Sequence, residues 1–383
     1  VIELGNEQKI ECDYVFVTVG HAQSIRFDHE YVDSQYEKQE MMPAFPHYRV
    51  NEVIQPGEKV ILAGMGLLSI DVISYLTVGR GGSFNRRGDG TLEYVPSGQE
   101  PVIIQYSRNG LPYLSRPLGV NDRVGAYEPQ ILTKEAIDRI KSKHKEIDFR
   151  SQVLPLLWKE MRLFYERVHS SSQDDEDFNP EQIFWGAGKH FQDGRAYQLS
   201  MLEAMRQDIC ESTIMSDKKS AIELIRVLRD LFRYAVDYNG LTKSSFADFR
   251  SNILPNFYRT VVGPPLQKTA ELVALAEAGI LSYPVGPDPE VSYDVDRKKW
   301  MITSTYLEHQ VHMEADHAIS GYLTVNNLTN SPSPLIRSLI EEGRMKPYQP
   351  HMRAGCGIDS DEYFHPLNHR NDVEENIYLL GLL

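Results

Sequence analysis

The run Gly64-Met-Gly66-Leu-Leu-Ser69 is the first stretch of this sequence whose residue types and spacing suggest chemistry. A glycine that turns tightly, a second that lets backbone amides approach a ligand, and a small residue three positions on form the pattern that cradles a pyrophosphate at a helix N-terminus. Gly64, Met65, Gly66, Leu67 and Ser69 are therefore candidate cofactor-binding residues. A lone GxG is also an ordinary strand-to-helix turn, so its context decides. Before it, Glu58-Lys-Val-Ile-Leu-Ala63 is a short, β-branched apolar run that reads as a buried parallel strand. After it, Leu67 to Leu76 reads as a helix, and Pro101-Val-Ile-Ile-Gln-Tyr106 as a second strand. Strand, glycine turn, helix and strand make a βαβ unit, the setting in which this turn binds nucleotides.

The end of the second strand sets cofactor preference. An acid there would take the ribose hydroxyls of NADH, and a cation the 2′-phosphate of NADPH. The sequence places Ser107-Arg108 at that end and no acid. Ser107 and Arg108 join the candidate set, and NADPH is favoured over NADH. An NADH-specific site would need an acid from elsewhere, which chain order does not supply. Arg80, Arg86, Arg87 and Arg116 are further cations, open to either a phosphate or a plain solvent-facing role. His309, His312 and His317 alternate between strand faces without a fixed ligand set, and Pro366 stands between His365 and His369, so no metal is expected. Neither GxSxG nor GxxxxGK[ST] occurs, which leaves serine hydrolases and P-loop enzymes unsupported. No catalytic acid or base can be named.

These residues sit in a chain of 383 amino acids, with 40 Lys and Arg against 54 Asp and Glu and a net charge of −14. Such a balance argues against nucleic acid or an anionic membrane as a partner. Cys12, Cys210 and Cys356 are too far apart for a CxxC site and too few for a disulfide framework, so the chain reads as cytoplasmic. Val1 to Leu4 and Lys9 onward read as a hairpin turning at Gly5-Asn6, followed by a strand in Asp13-Tyr-Val-Phe-Val-Thr-Val-Gly20. Residues 22 to 57 read as a connecting segment, and residues 79 to 90 as a mobile glycine-rich loop. From Thr133 to Gly279, apolar residues recur at three- and four-residue steps, which defines a helical lobe. Its acidic run, Asp174 to Asp177, reads as a loop, and its last helix, Leu266 to Ala278, stops at Gly279. Strands then return, from Glu290 to Gly321, and Asn376-Ile-Tyr-Leu-Leu-Gly381 reads as a final strand.

Val60-Ile-Leu-Ala-Gly-Met-Gly-Leu-Leu-Ser-Ile-Asp71, Leu76-Thr-Val-Gly-Arg-Gly-Gly-Ser-Phe84 and Tyr94-Val-Pro-Ser-Gly98 resemble segments of the bacterial FAD/NAD(P)-binding flavoproteins. So do Tyr106-Ser-Arg-Asn-Gly-Leu-Pro-Tyr113, Gly263-Pro-Pro-Leu-Gln-Lys-Thr-Ala-Glu-Leu272 and Asn376 to Gly381, in the family's order. The family is distantly similar to flavin-dependent N-hydroxylating monooxygenases. The resemblance implies two dinucleotide-binding folds, with Gly64, Gly66, Ser107 and Arg108 at the nicotinamide dinucleotide. Family members also carry an FAD-binding GxGxxG ahead of the segment matched by Val1, and continue past the strand matched by Ile377 to Leu380. The resemblance thus implies a fragment whose FAD site is incomplete.

The expected fold is α/β: a Rossmann-like NAD(P)-binding lobe (residues 21–129 and 282–369), a large helical insertion (130–281) and remnants of an FAD-binding domain (1–20 and 370–383). The expected function is an NADPH-dependent, FAD-containing oxidoreductase, such as a monooxygenase, with a small-molecule substrate. The alternative is a non-enzymatic dinucleotide-binding or protein-interaction module.

Overall fold

The computed structural model describes residues 2–3, 8–18, 39–119, 123–169, 178–186, 188, 190–237, 240–322, 331, 333–348 and 357–380. They form two units, Asp28–Tyr322 and Val1–Phe27 with Leu323–Leu383. In the first of these, the apolar run after Glu58 becomes a strand, Lys59–Ala63, with four of its five residues buried, as a strand with parallel neighbours on both sides requires. Five parallel strands, β1 (Met42–Pro43), β2 (Lys59–Ala63), β3 (Val102–Tyr106), β4 (Leu281–Ser282) and β5 (His317–Ser320), lie in the order β1-β5-β2-β3-β4. Val60 stands between His317 and Ile103. Helix α1 (Leu67–Leu76) follows β2 and leads back to β3. The class is α/β. An antiparallel meander, Glu290–Asp294, Lys299–Thr303 and His312–Ala315, covers one face of the sheet, burying Trp300 and Ile302 with Ile61, Ile104 and Ala318.

Two expectations are corrected here. The glycine-rich stretch between α1 and β3 is an antiparallel hairpin, Ser83–Arg86 with Leu92–Val95. Its base is fixed by the Glu100 carboxylate, which accepts from the Tyr94 hydroxyl (2.7 Å), the Ser97 amide (2.8 Å) and hydroxyl (3.0 Å), and the Gly98 amide (2.9 Å). The glycines had suggested mobility because composition does not show that carboxylate. The connecting segment, in turn, contains β1 and a helix, His47–Val53, that buries Val50.

Between β3 and β4 the described elements are helical. Among them are α2 (Gly194–Ile214), capped by the Asp193 carboxylate accepting from the Ala196 amide, and α3 (Leu266–Glu277), which ends as expected before a left-handed Gly279. This region contains a repeat that periodicity alone did not reveal. Asp148-Phe-Arg-Ser-Gln-Val-Leu-Pro155 recurs a hundred residues later as Asp248-Phe-Arg-Ser-Asn-Ile-Leu-Pro255. Each copy makes a π-helical turn, Phe149–Val153 and Phe249–Ile253, and each turn runs into a helix with proline in its first turn, where the missing N–H costs nothing. The copies face each other: Arg150 grips Asp248 with two hydrogen bonds of 2.7 and 2.8 Å, and the rings of Phe149 and Phe249 meet edge to face at 4.9 Å.

In the other unit, Ile2–Glu3 and Lys9–Ile10 form the expected hairpin, and Val15–Val17 pairs in parallel with Ile377–Leu379. Val17, Ile377 and Leu379 pack with Ile336 and Leu339 of the helix Pro334–Glu341. The hairpin turn at Gly5-Asn6, Gly20, the acidic run Asp174 to Asp177, Cys356 and Gly381 lie outside the described residues. Among the described residues, no helix is long and apolar enough to cross a membrane, and no group of three or more His, Cys, Asp or Glu side chains could hold a metal ion.

Glu160, fully buried on the helix Leu154–Val168, accepts from the Tyr127 hydroxyl (2.5 Å) and from the amides of Gln130, Ile131 and Leu132. Burial alone would raise its carboxyl, but these donors outweigh burial and hold it below its ordinary 4.5. A folded-state value below the unfolded one gives stability that is complete above about pH 4.5 and is lost as pH falls through the folded value. Glu160→Gln should therefore cost about 2 to 3 kcal/mol in urea unfolding at pH 7, with the difference from wild type shrinking in acid.

Candidate dinucleotide-binding site

The C-terminal ends of β2, β3 and β5 converge on one turn. The Gly64 amide donates to Tyr106 O at the end of β3 (2.7 Å), and the Gly321 amide, just past β5, donates to Ala63 O at the end of β2 (2.7 Å). Gly64 has φ +109°, and a Cβ there would lie 3.1 Å from Gly321 O and 3.2 Å from Ser69 Oγ. A Cβ on Gly321 would lie 2.1 Å from Ser69 Oγ. No side chain fits between these strands. The buried Ser69 hydroxyl donates to Gly321 O (3.1 Å), and Gln105 Nε2 donates to Gly64 O (2.8 Å), so the turn is braced from both neighbouring strands.

Gly66 is the N-cap of α1 and offers no side chain to close the helix end. The amides of the first turn, from Leu67 to Ser69, are thus available to an anion, with the helix dipole behind them. Met65 is buried and Leu67 is 41% exposed. Ser107 Oγ lies 3.6 Å from Met65 Sδ, so the turn after β2 and the turn after β3 are neighbours. Ser107 Oγ also accepts from the Gly110 amide (3.2 Å), which fixes the direction of the chain beyond it. Arg108 is exposed, and no hydrogen bond or ion pair to it occurs among the described residues. The seven sequence-predicted residues therefore fall at two adjacent turns.

Three of the other four arginines are already engaged, while Arg116 is exposed and no hydrogen bond or ion pair to its side chain occurs among the described residues. Arg80 donates to Asn51 Oδ1 (2.6 Å) and to the carbonyls of Ile54 and Gln99, Arg86 to Gly90 O (3.0 Å), and Arg87 faces Glu93 and Glu277. His317 meets Glu58 (2.9 Å) and His312 meets Thr303 (3.0 Å), both as structural contacts.

Sequence reasoning missed Tyr113. A Cβ on Gly66 would lie 3.2 Å from its hydroxyl, so this phenol stands over the open end of α1. A small pocket beside it is lined by Met65, Ile70, Gln105, Met205 and Leu272. Tyr113 is held there by the loop from Asn109 to Arg116, which the helical region grips at several points. Tyr197 Oη donates to Gly110 O (2.8 Å), the Leu114 amide to Arg259 O (3.0 Å), the Ser115 amide to Asp208 Oδ2 (2.6 Å) and the Arg116 amide to Pro264 O (2.8 Å). Asp208 is neutralised by the fully buried Lys219 (2.6 Å). Arg259, also buried, directs its guanidinium at the carbonyls of Pro112, Ile183 and Phe184. Burial brings its pKa down to about 10, with Asp208 and Tyr113 opposing the fall. Tyr113 lies next in sequence to a carbonyl that Arg259 holds, and its burial raises the phenol's pKa, so it remains a neutral donor at physiological pH. Nothing in local sequence pairs Asp208 or Arg259 with this loop, because their partners in it lie 93 and 147 residues away.

The site is a strand–glycine-turn–helix with an uncapped helix end, a free cation at the next strand end and a phenol above, in an α/β protein. No family model matches the chain. Among curated proteins it is similar to two L-aspartate N-monooxygenases (nitrosuccinate-forming). One, from Streptomyces davaonensis, is 29% identical over 360 residues, covering 82% of this chain and 54% of the relative. The other, from Streptomyces cremeus, is 29% identical over 352 residues, covering 80% and 52%. Nitrosuccinic acid synthase npaA of Aspergillus oryzae is 28% identical over 337 residues, covering 77% and 50%. The two Streptomyces relatives are monooxygenases by name, and the chain spans about half the length of the curated relatives it matches.

If the Gly64–Gly321 contact holds the turn, Gly321→Ala should lower the thermal midpoint by several degrees, a cost of about 2 kcal/mol from the clash. Gly88→Ala, with no atom within 4 Å of the added carbon, should leave it unchanged in the same calorimetric scan.

Proposed function

We propose that this chain carries the nicotinamide-dinucleotide site of a cytoplasmic FAD-dependent N-monooxygenase that acts on the amine of a small amino acid, with NADPH as reductant. The observation that carries the reading is the Gly64–Ser69 turn: three strand ends meet without room for a side chain, and the helix end beyond is uncapped. That arrangement fits a pyrophosphate, whose charge the first-turn amides of α1 would take. The relatives' names supply the reaction class and the amino-acid substrate. When bound, the nicotinamide supplies a hydride and the flavin supplies the chemistry of oxygen activation.

The chain's own residues divide the remaining work. The Tyr113 hydroxyl donates to a phosphate oxygen above Gly66, and Arg108, free at the end of β3, pairs with the adenosine 2′-phosphate. The pinned loop from Asn109 to Arg116 keeps the phenol at its station, so the site is organised before the cofactor arrives. We place the flavin domain in the unit that contains Val15–Val17 and Ile377–Leu379. Among the described residues of that unit no strand–glycine-turn–helix occurs, so no residue is assigned to the flavin.

Calorimetric titration with NADPH and NADH tests the reading. NADPH should bind, and Arg108→Ala should weaken it about tenfold while leaving NADH little changed, the size of one charge-assisted contact. Equal weakening of both cofactors would remove Arg108 from the 2′-phosphate. With FAD bound, as read by flavin absorbance, the protein should consume NADPH faster in the presence of L-aspartate; a flavin-loaded protein that no small amino acid stimulates would defeat the substrate assignment.

A further inference from the structure

Chain order brings no acid to the end of β3, but the fold does. Asp288, 180 residues further along the chain, donates its amide to Ser107 O (3.1 Å), and its own carbonyl accepts from the Thr305 hydroxyl (2.8 Å). The contact is close on both sides: a Cβ on Gly110 would lie 2.7 Å from Pro287. Asp288 sits between Pro287 and Pro289 with φ +46°, a left-handed conformation that costs an ordinary residue energy and that aspartate tolerates better than most. Its side chain is exposed, and no hydrogen bond or ion pair to it occurs among the described residues. A free carboxylate is thus held in a strained backbone beside the strand end that carries the free Arg108.

We infer that Asp288 is a second cofactor-discriminating residue, whose carboxylate accepts from the adenosine ribose hydroxyls of NADH and repels the 2′-phosphate of NADPH. It opposes Arg108, so selectivity between the two cofactors is the balance of one cation and one anion delivered by different parts of the chain. The inference rests on the nucleotide site proposed above and deepens it.

Asp288→Asn tests it cleanly, since asparagine is also at home in the left-handed region and keeps the backbone contacts. The ratio of the NADH to the NADPH dissociation constant, read by calorimetry, should rise about three- to tenfold in this variant, the effect of one partly exposed charge. It should fall in Arg108→Ala. A ratio that moves in Arg108→Ala but not in Asp288→Asn, with the thermal midpoint unchanged, would overturn the role of Asp288 and leave the nucleotide site standing. Failure of the wild-type protein to bind either nucleotide would overturn both.

Discussion

Where β2 ends, three backbone segments meet with no space for a side chain. The Gly64 and Gly321 amides each bond to the end of a neighbouring strand, and Ser69 locks the contact from the first turn of the helix. This closeness sets the direction of α1, because Gly66 follows at once as its N-cap. It also fixes the distance between the glycine turn and the turn after β3, since the same Gly64 amide is tied to Tyr106. A larger residue at either glycine would separate the strands and move both turns. The candidate residues on β2 and β3 thus depend on β5, which arrives more than two hundred residues later.

The helical region solves a second problem. A loop beginning at an exposed Arg108 would have little to hold it, yet Tyr113 must stay above the helix end. The solution uses buried polar groups bonded to backbone: Asp208 to the Ser115 amide, and Arg259, through its two terminal nitrogens, to carbonyls from two segments. Buried charges are costly when unpaired, so Asp208 carries Lys219 beneath it, while Arg259 is bonded to backbone carbonyls and burial lowers its pKa despite the opposing charge of Asp208. The repeated Asp-Phe-Arg-Ser motif belongs to the same system. Its second copy launches the helix Leu254–Val261 that bears Arg259, and the two copies brace each other through Arg150 and Asp248.

The βαβ unit was legible because its signal is local: a β-branched run, two glycines and a helix within twenty residues. The helical region, the returning strands and the cap at Gly279 were legible for the same reason. What failed to show was everything carried by distant pairs. Glu100 turns a glycine-rich stretch into a hairpin, Tyr113 reaches Gly66 from the loop after β3, and Asp288 meets Ser107 from the far side of the helical region in sequence. The repeat at Asp148 and Asp248 was present in the letters, but apolar periodicity does not detect it, because what recurs is a polar turn and not a helical face.

The arginines make the same point about charge. In the sequence Arg108 stands out by its place at a strand end, and Arg80, Arg86, Arg87 and Arg116 are further cations of undecided role. The structure separates them by asking what each already holds. Arg80 donates to the carbonyls of Gln99 and Ile54, Arg86 bonds within its own hairpin, and Arg87 pairs with Glu93 on it. A guanidinium with satisfied donors gains little from a phosphate, because each new bond replaces an old one. Arg108 and Arg116 keep their donor sets among the described residues, and of the two Arg108 is the one at the strand end where a ribose phosphate would be read. A residue's availability follows from the contacts made around it, and those contacts are a property of the fold.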